Sequence, residues 1–332
     1  VVTDLGKDIS DGISKLKVVE SDPVSKDLKG TDVLVQVRAA SVNYPDLLMT
    51  CGGYQFKPTP PYVPGTEAAG VVEAVGPDVK RLKPGDHVMV GTMGAMTEEL
   101  VVPESACVAM PAPFSFEQAA GFWVAYTTAY HCLVERAGVR DEDVVLVNGA
   151  TGGVGMAAVQ VARAVGCRVI ATGTGAAKLA KIRDMGATTI DLTEGVKFAA
   201  KVKEMTDGQG VSVVYDPVGG EVFDESLKAT GWGARVTIVG FASGVRPVVR
   251  ANYALIKGLT IMGCRAGESV RQDPSLAEPR TAQLLRWAEA GLLTPLVSHT
   301  ADAREVGDLF RIVLDRKVVG KAVLLFGRRA KL

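Results

Sequence analysis

Residues 144–160 read Val144-Val145-Leu146-Val147-Asn148-Gly149-Ala150-Thr151-Gly152-Gly153-Val154-Gly155-Met156-Ala157-Ala158-Val159-Gln160. An apolar, mostly β-branched run enters a string of small residues and leaves into a segment of helical length, Gly155 to Val165. The spacing satisfies the dinucleotide fingerprint as Ala150-x-Gly152-x-x-Gly155, with Ala in place of the first Gly. Small residues let backbone N–H groups approach a pyrophosphate at a helix N-terminus, where the macrodipole favours negative charge. A bare glycine pattern fits any tight turn; a buried strand before it and a helix after it select dinucleotide binding.

On the C-terminal side the pattern continues as apolar strands alternating with amphipathic helical segments, the mark of βαβ units on a parallel sheet. Strands are expected at Val144–Val147, Arg168–Ala171, Val211–Tyr215, Ala234–Val239 and Leu259–Gly263. Helices are expected at Gly155–Val165, Ala177–Met185, Val196–Met205, Val222–Ala229 and Glu278–Ala290, with a late strand at Lys321–Leu325. The N-terminal side obeys other rules: eleven of the sixteen prolines precede residue 121. There, short alternating runs (Val33 to Val37, Val71 to Val75, Val88 to Val90, Leu100 to Val102) are cut by turns such as Lys83-Pro84-Gly85-Asp86. This predicts a small β-barrel domain to which the chain's tail returns.

Composition narrows the function. The 332 residues carry 37 Lys+Arg against 37 Asp+Glu, so no basic footprint marks a nucleic-acid partner, and 47% apolar residues place the chain among folded proteins. The uncharged stretches Gln118–Val134 and Val144–Ala162 hold Tyr, Thr, His, Asn and Gly that would break a lipid-facing helix, so no membrane partner is expected. Five scattered cysteines without C-x-x-C spacing argue against a disulfide framework or a zinc knuckle and for a reducing compartment, with the cytoplasm as the expectation. Val1 to Ile13 show no targeting pattern; the chain begins at Val rather than Met, which leaves a preceding organellar leader open.

The strand after the glycine loop bears on cofactor choice. An NAD site places an Asp or Glu about 20 residues after the loop to bind the ribose 2′-OH. Here Arg168 to Arg183 contains no acid, while Thr174 can donate a hydrogen bond and Lys178 a charge to a 2′-phosphate. NADP(H) is therefore expected, against the plainer reading of Lys178 and Lys181 as a solvated helix face.

The segments Asn43-Tyr-Pro-Asp46, Gly52-Gly-Tyr54, Pro64-Gly-Thr-Glu67-Ala-Ala-Gly70, Lys83-Pro-Gly-Asp86, Gly149–Gly155, Asp216-Pro-Val-Gly-Gly220, Val239-Gly-Phe-Ala-Ser-Gly244 and Val319-Gly320-Lys321 occur in one order across nearly the whole chain. Together they resemble the zinc-free medium-chain dehydrogenase/reductases, and within these the quinone oxidoreductase (zeta-crystallin-like) branch and its quinone oxidoreductase-like subgroup. The resemblance implies an α/β protein with a GroES-like β-barrel catalytic domain, residues 1–120 and 266–332, and a Rossmann cofactor domain, residues 121–265. Asn43 stands where zinc members of the superfamily carry a Cys and Thr66 where they carry a His. The Cys-rich structural lobe is missing, so no metal is expected.

By the same resemblance Asn43 and Asp46 lie on the floor of the active cleft beside the nicotinamide, Thr128 faces it, and Tyr54 donates a proton or a hydrogen bond to the reduced acceptor. Rival roles remain for each: Asn43 as a turn residue, Asp46 as a helix N-cap, Tyr54 as a loop aromatic packed on proline. The cofactor positions carried over are Asn43, Thr128, Gly152, Gly153, Val154, Gly155, Thr174, Lys178, Pro217, Gly240, Phe241, Ala242, Cys264, Arg265 and Lys321. Leu192 stands where many members place a Tyr against the 2′-phosphate. Cys264 shows no neighbouring base in sequence. Tyr130 and His131 are read as packing residues and His87 as solvated.

The expectation is thus an NADPH-dependent reductase of quinones. Its rivals are reduction of enones or enoyl thioesters, and a cofactor-binding structural protein with little turnover. The family habit implies a homodimer through the edge strand Leu259–Gly263.

Overall fold

The computed structural model describes residues 1–327. Its described strands are β1 (Asp32–Val42), β2 (Glu67–Val75), β3 (His87–Gly91), β4 (Glu99–Pro103), β5 (Cys107–Ala109), β6 (Val144–Val147), β7 (Arg168–Gly173), β8 (Thr188–Asp191), β9 (Val211–Asp216), β10 (Thr230–Ile238), β11 (Thr260–Gly263), β12 (Val297–Asp302) and β13 (Lys321–Leu325). They divide between two compact units. Val1–Val124 and the described residues from Thr294 onward form one, and Ala125–Leu293 form the other.

The first unit is built on a seven-stranded sheet ordered β12-β13-β1-β2-β3-β5, with β4 paired to β1. Strand β1 is its spine, antiparallel to β2, β4 and β13. Its register slips at Leu34/Val35 and Val37/Ala39. Such bulges bend a strand and let it serve two packing surfaces. Val33 and Val35 join Val72, Val88, Val90 and Val102 in one cluster, while Val37, Ala40 and Val42 join Leu47, Leu309, Phe310 and Leu324 in another. Gly70 on β2 is required by packing, since a Cβ there would lie 2.2 Å from the Gln36 carbonyl oxygen. Strand β13 matches the expected Lys321–Leu325 and returns the tail to this sheet.

The second unit holds a six-stranded parallel sheet ordered β11-β10-β9-β6-β7-β8. The chain runs outward from β6 through β7 to β8, then crosses back to β9, so the order reverses between β6 and β9. In open α/β sheets the ligand crevice lies at such a switch point, outside the carboxyl ends of the strands. The helix after β6 spans Gly153–Val165, two residues earlier than the sequence pattern suggests, and is closed by Gly166 at φ +105. The segment 266–293, read with the barrel from sequence, packs in this unit instead. Arg280, buried on helix Ala277–Glu289, grips the Glu135 carboxylate with Nε at 2.8 Å and Nη2 at 2.7 Å, and bonds Ser269 Oγ and the Ala266 carbonyl. Among the described residues no helix is long and apolar enough to cross a membrane.

Candidate active site

In the first unit a polar cluster lies beneath the short helix Tyr44–Met49. Glu67, fully buried at the start of β2, is its hub. Glu67 Oε1 accepts from Ser41 Oγ at 2.9 Å, Asn43 Nδ2 at 2.8 Å and Lys321 Nζ at 3.0 Å, while Oε2 accepts from the Val124 amide at 2.8 Å. Lys321 Nζ also donates to Asn43 Oδ1 at 2.6 Å, and Asn43 Nδ2 reaches Thr66 Oγ1 at 3.2 Å. The structure therefore brings together Asn43 and Lys321, 278 residues apart, and adds Glu67, which belongs to a quoted motif but was given no role from sequence. The missed signal was its charge: an acid at the start of a buried strand needs a partner.

Asp46 is wholly buried. It does not serve as the N-cap; that position is Asn43, and Asp46 sits three residues on, its Oδ2 accepting the Asn43 amide at 2.7 Å. Its Oδ1 has no hydrogen-bond partner among the described residues. Burial, against the hydrogen bond from Asn43 and the charge of Lys321, pushes its carboxyl up to about 7. Tyr54 lies half-buried in the turn that follows the Tyr44–Met49 helix.

In the second unit most of the carried-over cofactor positions gather along the carboxyl edge of the parallel sheet. Gly152 caps the Gly153–Val165 helix without a capping side chain, leaving the first-turn amides to head the helix. Gly149 adopts φ +57, and a Cβ on Gly155 would lie 2.3 Å from the Gly149 carbonyl oxygen, so the loop closes on its helix only with glycine there. Below the loop, Asn148, Thr172, Asp216 and Ser226 form a fully buried network: Asn148 Nδ2 donates to Asp216 Oδ1 at 2.9 Å and Ser226 Oγ at 2.8 Å, and Thr172 Oγ1 donates to Asn148 Oδ1 at 2.9 Å. Burial raises the Asp216 carboxyl, against the Asn148 and Val218–Gly219 hydrogen bonds that favour its charge. Those amide bonds fix the turn holding Pro217, whose carbonyl accepts the Ala242 amide at 3.0 Å. Pro217 and Gly240–Ala242 are thereby adjacent. The Cys264 amide bonds the Ile238 carbonyl at 3.0 Å, placing Cys264 beside the same strand end, and Arg265 follows it as N-cap of helix Ala266–Gln272. The Cys132 thiol and the Arg136 guanidinium adjoin Cys264 and hold its thiol below the usual range. Thr128 is half-buried on helix Trp123–Tyr130. His131 is buried against Glu135 at 2.7 Å, Tyr130 packs on Trp287, and His87 is exposed, its ring tilted against Phe116.

At the carboxyl end of β7 Thr174 is exposed and Lys178 half-buried on the first turn of helix Ala176–Asp184. Strand β8 sets Asp191 directly opposite Gly173, and the Asp191 carboxylate accepts the Gly175 amide at 3.1 Å. No acid stands in Arg168–Arg183, yet the neighbouring strand delivers one to the same turn.

Two family matches cover most of these elements: an alcohol dehydrogenase GroES-like domain over residues 29–112 and a zinc-binding dehydrogenase domain over residues 153–283. A quinone oxidoreductase-like protein 2 homolog from Nematostella vectensis is 38% identical over 318 residues, spanning 94% of this chain and 86% of the relative. The chain belongs to the medium-chain dehydrogenase/reductase family. A protein named quinone oxidoreductase from Sus scrofa is 29% identical over 94% of both chains. A mycobacterial structure complexed with NADPH superposes with a TM-score of 0.86 at 29% identity, covering 98% of each chain. This medium-chain member is an oxidoreductase with a GroES-like and a Rossmann-like domain.

The zinc in the second domain's description is not matched by the residues. Among the described residues no three His, Cys, Asp or Glu side chains are placed to hold a metal ion. The buried carboxylate Glu67 is already paired with the Lys321 ammonium, beside an amide and a hydroxyl. This donor set does not fit zinc, which takes thiolate, imidazole and carboxylate ligands.

Proposed function

We propose that this member is an NADPH-dependent reductase of quinones that works without zinc. The observation that carries the reading is the Lys321 ammonium seated on Asn43 and Glu67, a fixed cation where the zinc members would need soft ligands. Without a Lewis acid, oxidation of an unactivated alcohol lacks alkoxide stabilisation, whereas reduction of an electron-poor carbonyl needs hydride placement and modest oxyanion stabilisation. The nicotinamide supplies the hydride when bound.

The protein supplies the rest. The amides heading the Gly153–Val165 helix receive the pyrophosphate, and the Pro217, Gly240–Ala242 and Cys264–Arg265 strand ends line the nicotinamide half, with Thr128 facing it. Asn43 and Lys321 orient the acceptor oxygen, and Tyr54 provides the proton. The relative named quinone oxidoreductase supports the quinone over the enone, and the NADPH-bound structure supports the cofactor. We place the protein in a reducing compartment, in keeping with its free cysteines, and as a homodimer. Supporting the dimer are the unpaired edge β11 and the exposed Trp232, Leu255 and Ile256 nearby.

The test is the initial rate of NADPH oxidation by purified, chelator-treated protein with an ortho-quinone. Turnover supports the reading, and binding of NADPH without turnover on any electron-poor carbonyl contradicts it.

A further inference from the structure

Two of the five cysteines meet inside the second unit. Cys132 lies on the π-type turn His131–Arg136, where the Ala137 amide bonds the Cys132 carbonyl, five residues back, at 3.0 Å. Such widened turns occur frequently at functional sites. Cys264 directly follows β11 and is held there by its amide on the Ile238 carbonyl at 3.0 Å. The two side chains hydrogen-bond thiol to thiol, and the Arg136 guanidinium reaches the Cys264 sulfur as well. This contact turns both Cβ–S bonds towards one place, the juxtaposition that a disulfide requires. The Tyr215 phenol on β9 is wholly buried beside both sulfurs, and its hydroxyl has no hydrogen-bond partner among the described residues. A buried hydroxyl without a partner is rare; an oxygen added to the Cys264 sulfur would give it one.

The other cysteines are placed differently. Cys51 and Cys167 give their S–H to the Leu48 and Arg140 carbonyls, at 3.4 and 3.0 Å, and burial pushes the Cys107 and Cys167 thiols up to about 11. Within the pair the roles divide. Burial pushes the Cys132 thiol up, so it acts as donor, while its hydrogen bond and the Arg136 charge favour the Cys264 thiolate. Cys132 is fully buried, whereas Cys264 keeps 7% exposure, enough to meet a small peroxide. The thiolate is the form that attacks, and a second thiol beside it resolves the product.

We infer that Cys132 and Cys264 are a peroxide-sensitive pair whose oxidation to a disulfide lowers affinity for the nicotinamide nucleotide. The Cys264 thiolate attacks one oxygen of hydrogen peroxide; the O–O bond breaks, the sulfur is oxidised to a sulfenic acid, and the other oxygen leaves as hydroxide and takes up the proton Cys264 released, giving water. The Cys132 sulfur then attacks the sulfenic sulfur. The S–S bond forms, and the S–OH oxygen departs with the Cys132 proton as a second water. Two thiols and one hydrogen peroxide thus give one disulfide and two waters, and a dithiol reduces the pair again. In a reducing compartment such a bond is transient, as a sensor needs. The effect on binding rests on the proposed place of Cys264 in the nicotinamide half of the site, because a bond to Cys132 draws its side chain off that surface.

The experiment treats the fully reduced chain with hydrogen peroxide, blocks the remaining thiols under denaturing conditions, maps the peptides, and measures NADPH affinity by fluorescence titration before and after. Expected are a linked Cys132–Cys264 peptide, a dissociation constant for NADPH raised about tenfold, the scale of an ordinary coupling between two sites, and reversal of both by dithiothreitol. Cys132→Ser should bind NADPH like the wild type before treatment and, after it, stop at a Cys264 sulfenic acid that dimedone traps. The wild-type map decides the pair whether or not that variant folds. Both thiols still open to alkylation after peroxide, or either one linked to another cysteine, overturn the pair, and a linked pair with unchanged affinity overturns its regulatory effect; each leaves the oxidoreductase reading intact. Reduced wild type that binds no nucleotide instead overturns the seating on which the effect rests, while the peptide map still reads the pair.

Discussion

Lys321 and Glu67 are 5% and 1% exposed at the side chain, so each neutralises a charge that the other could not leave buried alone. Breaking a buried pair from one side costs about 3–5 kcal/mol, because the remaining charge is uncompensated. Lys321→Met should therefore lower unfolding stability by about that amount in urea titration, and Lys321→Met with Glu67→Gln should recover most of it. Both variants should lose quinone turnover, since the oxyanion then lacks its cation; full turnover in the double variant would remove Lys321 from the chemistry. Asp46 makes a separate prediction. Its carboxyl is raised from an unfolded value of 3.8 to about 7, so the folded state binds the proton more tightly. Stability from this group is present at low pH and is lost as pH rises from about 4 towards 7, then levels. Asp46→Asn should flatten that decline between about pH 4 and pH 7, while an unchanged slope would mean Asp46 is ionised throughout.

At the scale of elements, the glycine loop was legible because everything it needs is local. Strand β6 begins and ends where the apolar run does, Val144–Val147, and the small residues that follow meet their own loop carbonyls. Gly155→Ala should weaken binding of either nicotinamide nucleotide at least about tenfold in titration, since the Cβ must displace the Gly149 carbonyl that shapes the cradle. What escaped the sequence is what strand register assembles. Asp191 reaches Gly175 across the β7–β8 pair, and Arg280 reaches Glu135 across 145 residues, neither of which periodicity can show. Helix Ala251–Lys257 buries none of its residues, so no apolar stripe announces it. The second unit's claim on 266–293 has the same origin: Arg280 is buried there by an ion pair that spacing along the chain does not encode. Arg280→Met should also bring an earlier urea transition, but a smaller shift than Lys321→Met, because Glu135 is partly exposed and keeps His131 beside it.

For the whole molecule, sequence order carried the family, the two kinds of domain and the return of the tail, because the motifs are many and their order is fixed. The meeting of Asn43, Glu67 and Lys321 was not legible, since it needs β1, β2 and β13 side by side in one sheet. Two copies joined through β11 should sediment at twice the 34.8 kDa chain mass, and Leu255→Asp with Ile256→Asp should shift the species to the monomer. The most direct trial of the central claim is the rate of nucleotide oxidation by chelator-treated protein with an ortho-quinone and, in parallel, with a simple alkyl enone, each run with NADPH and with NADH. The account predicts quinone-dependent oxidation that survives chelation and exceeds the enone rate; oxidation of neither substrate by protein that binds the nucleotide tightly would contradict it.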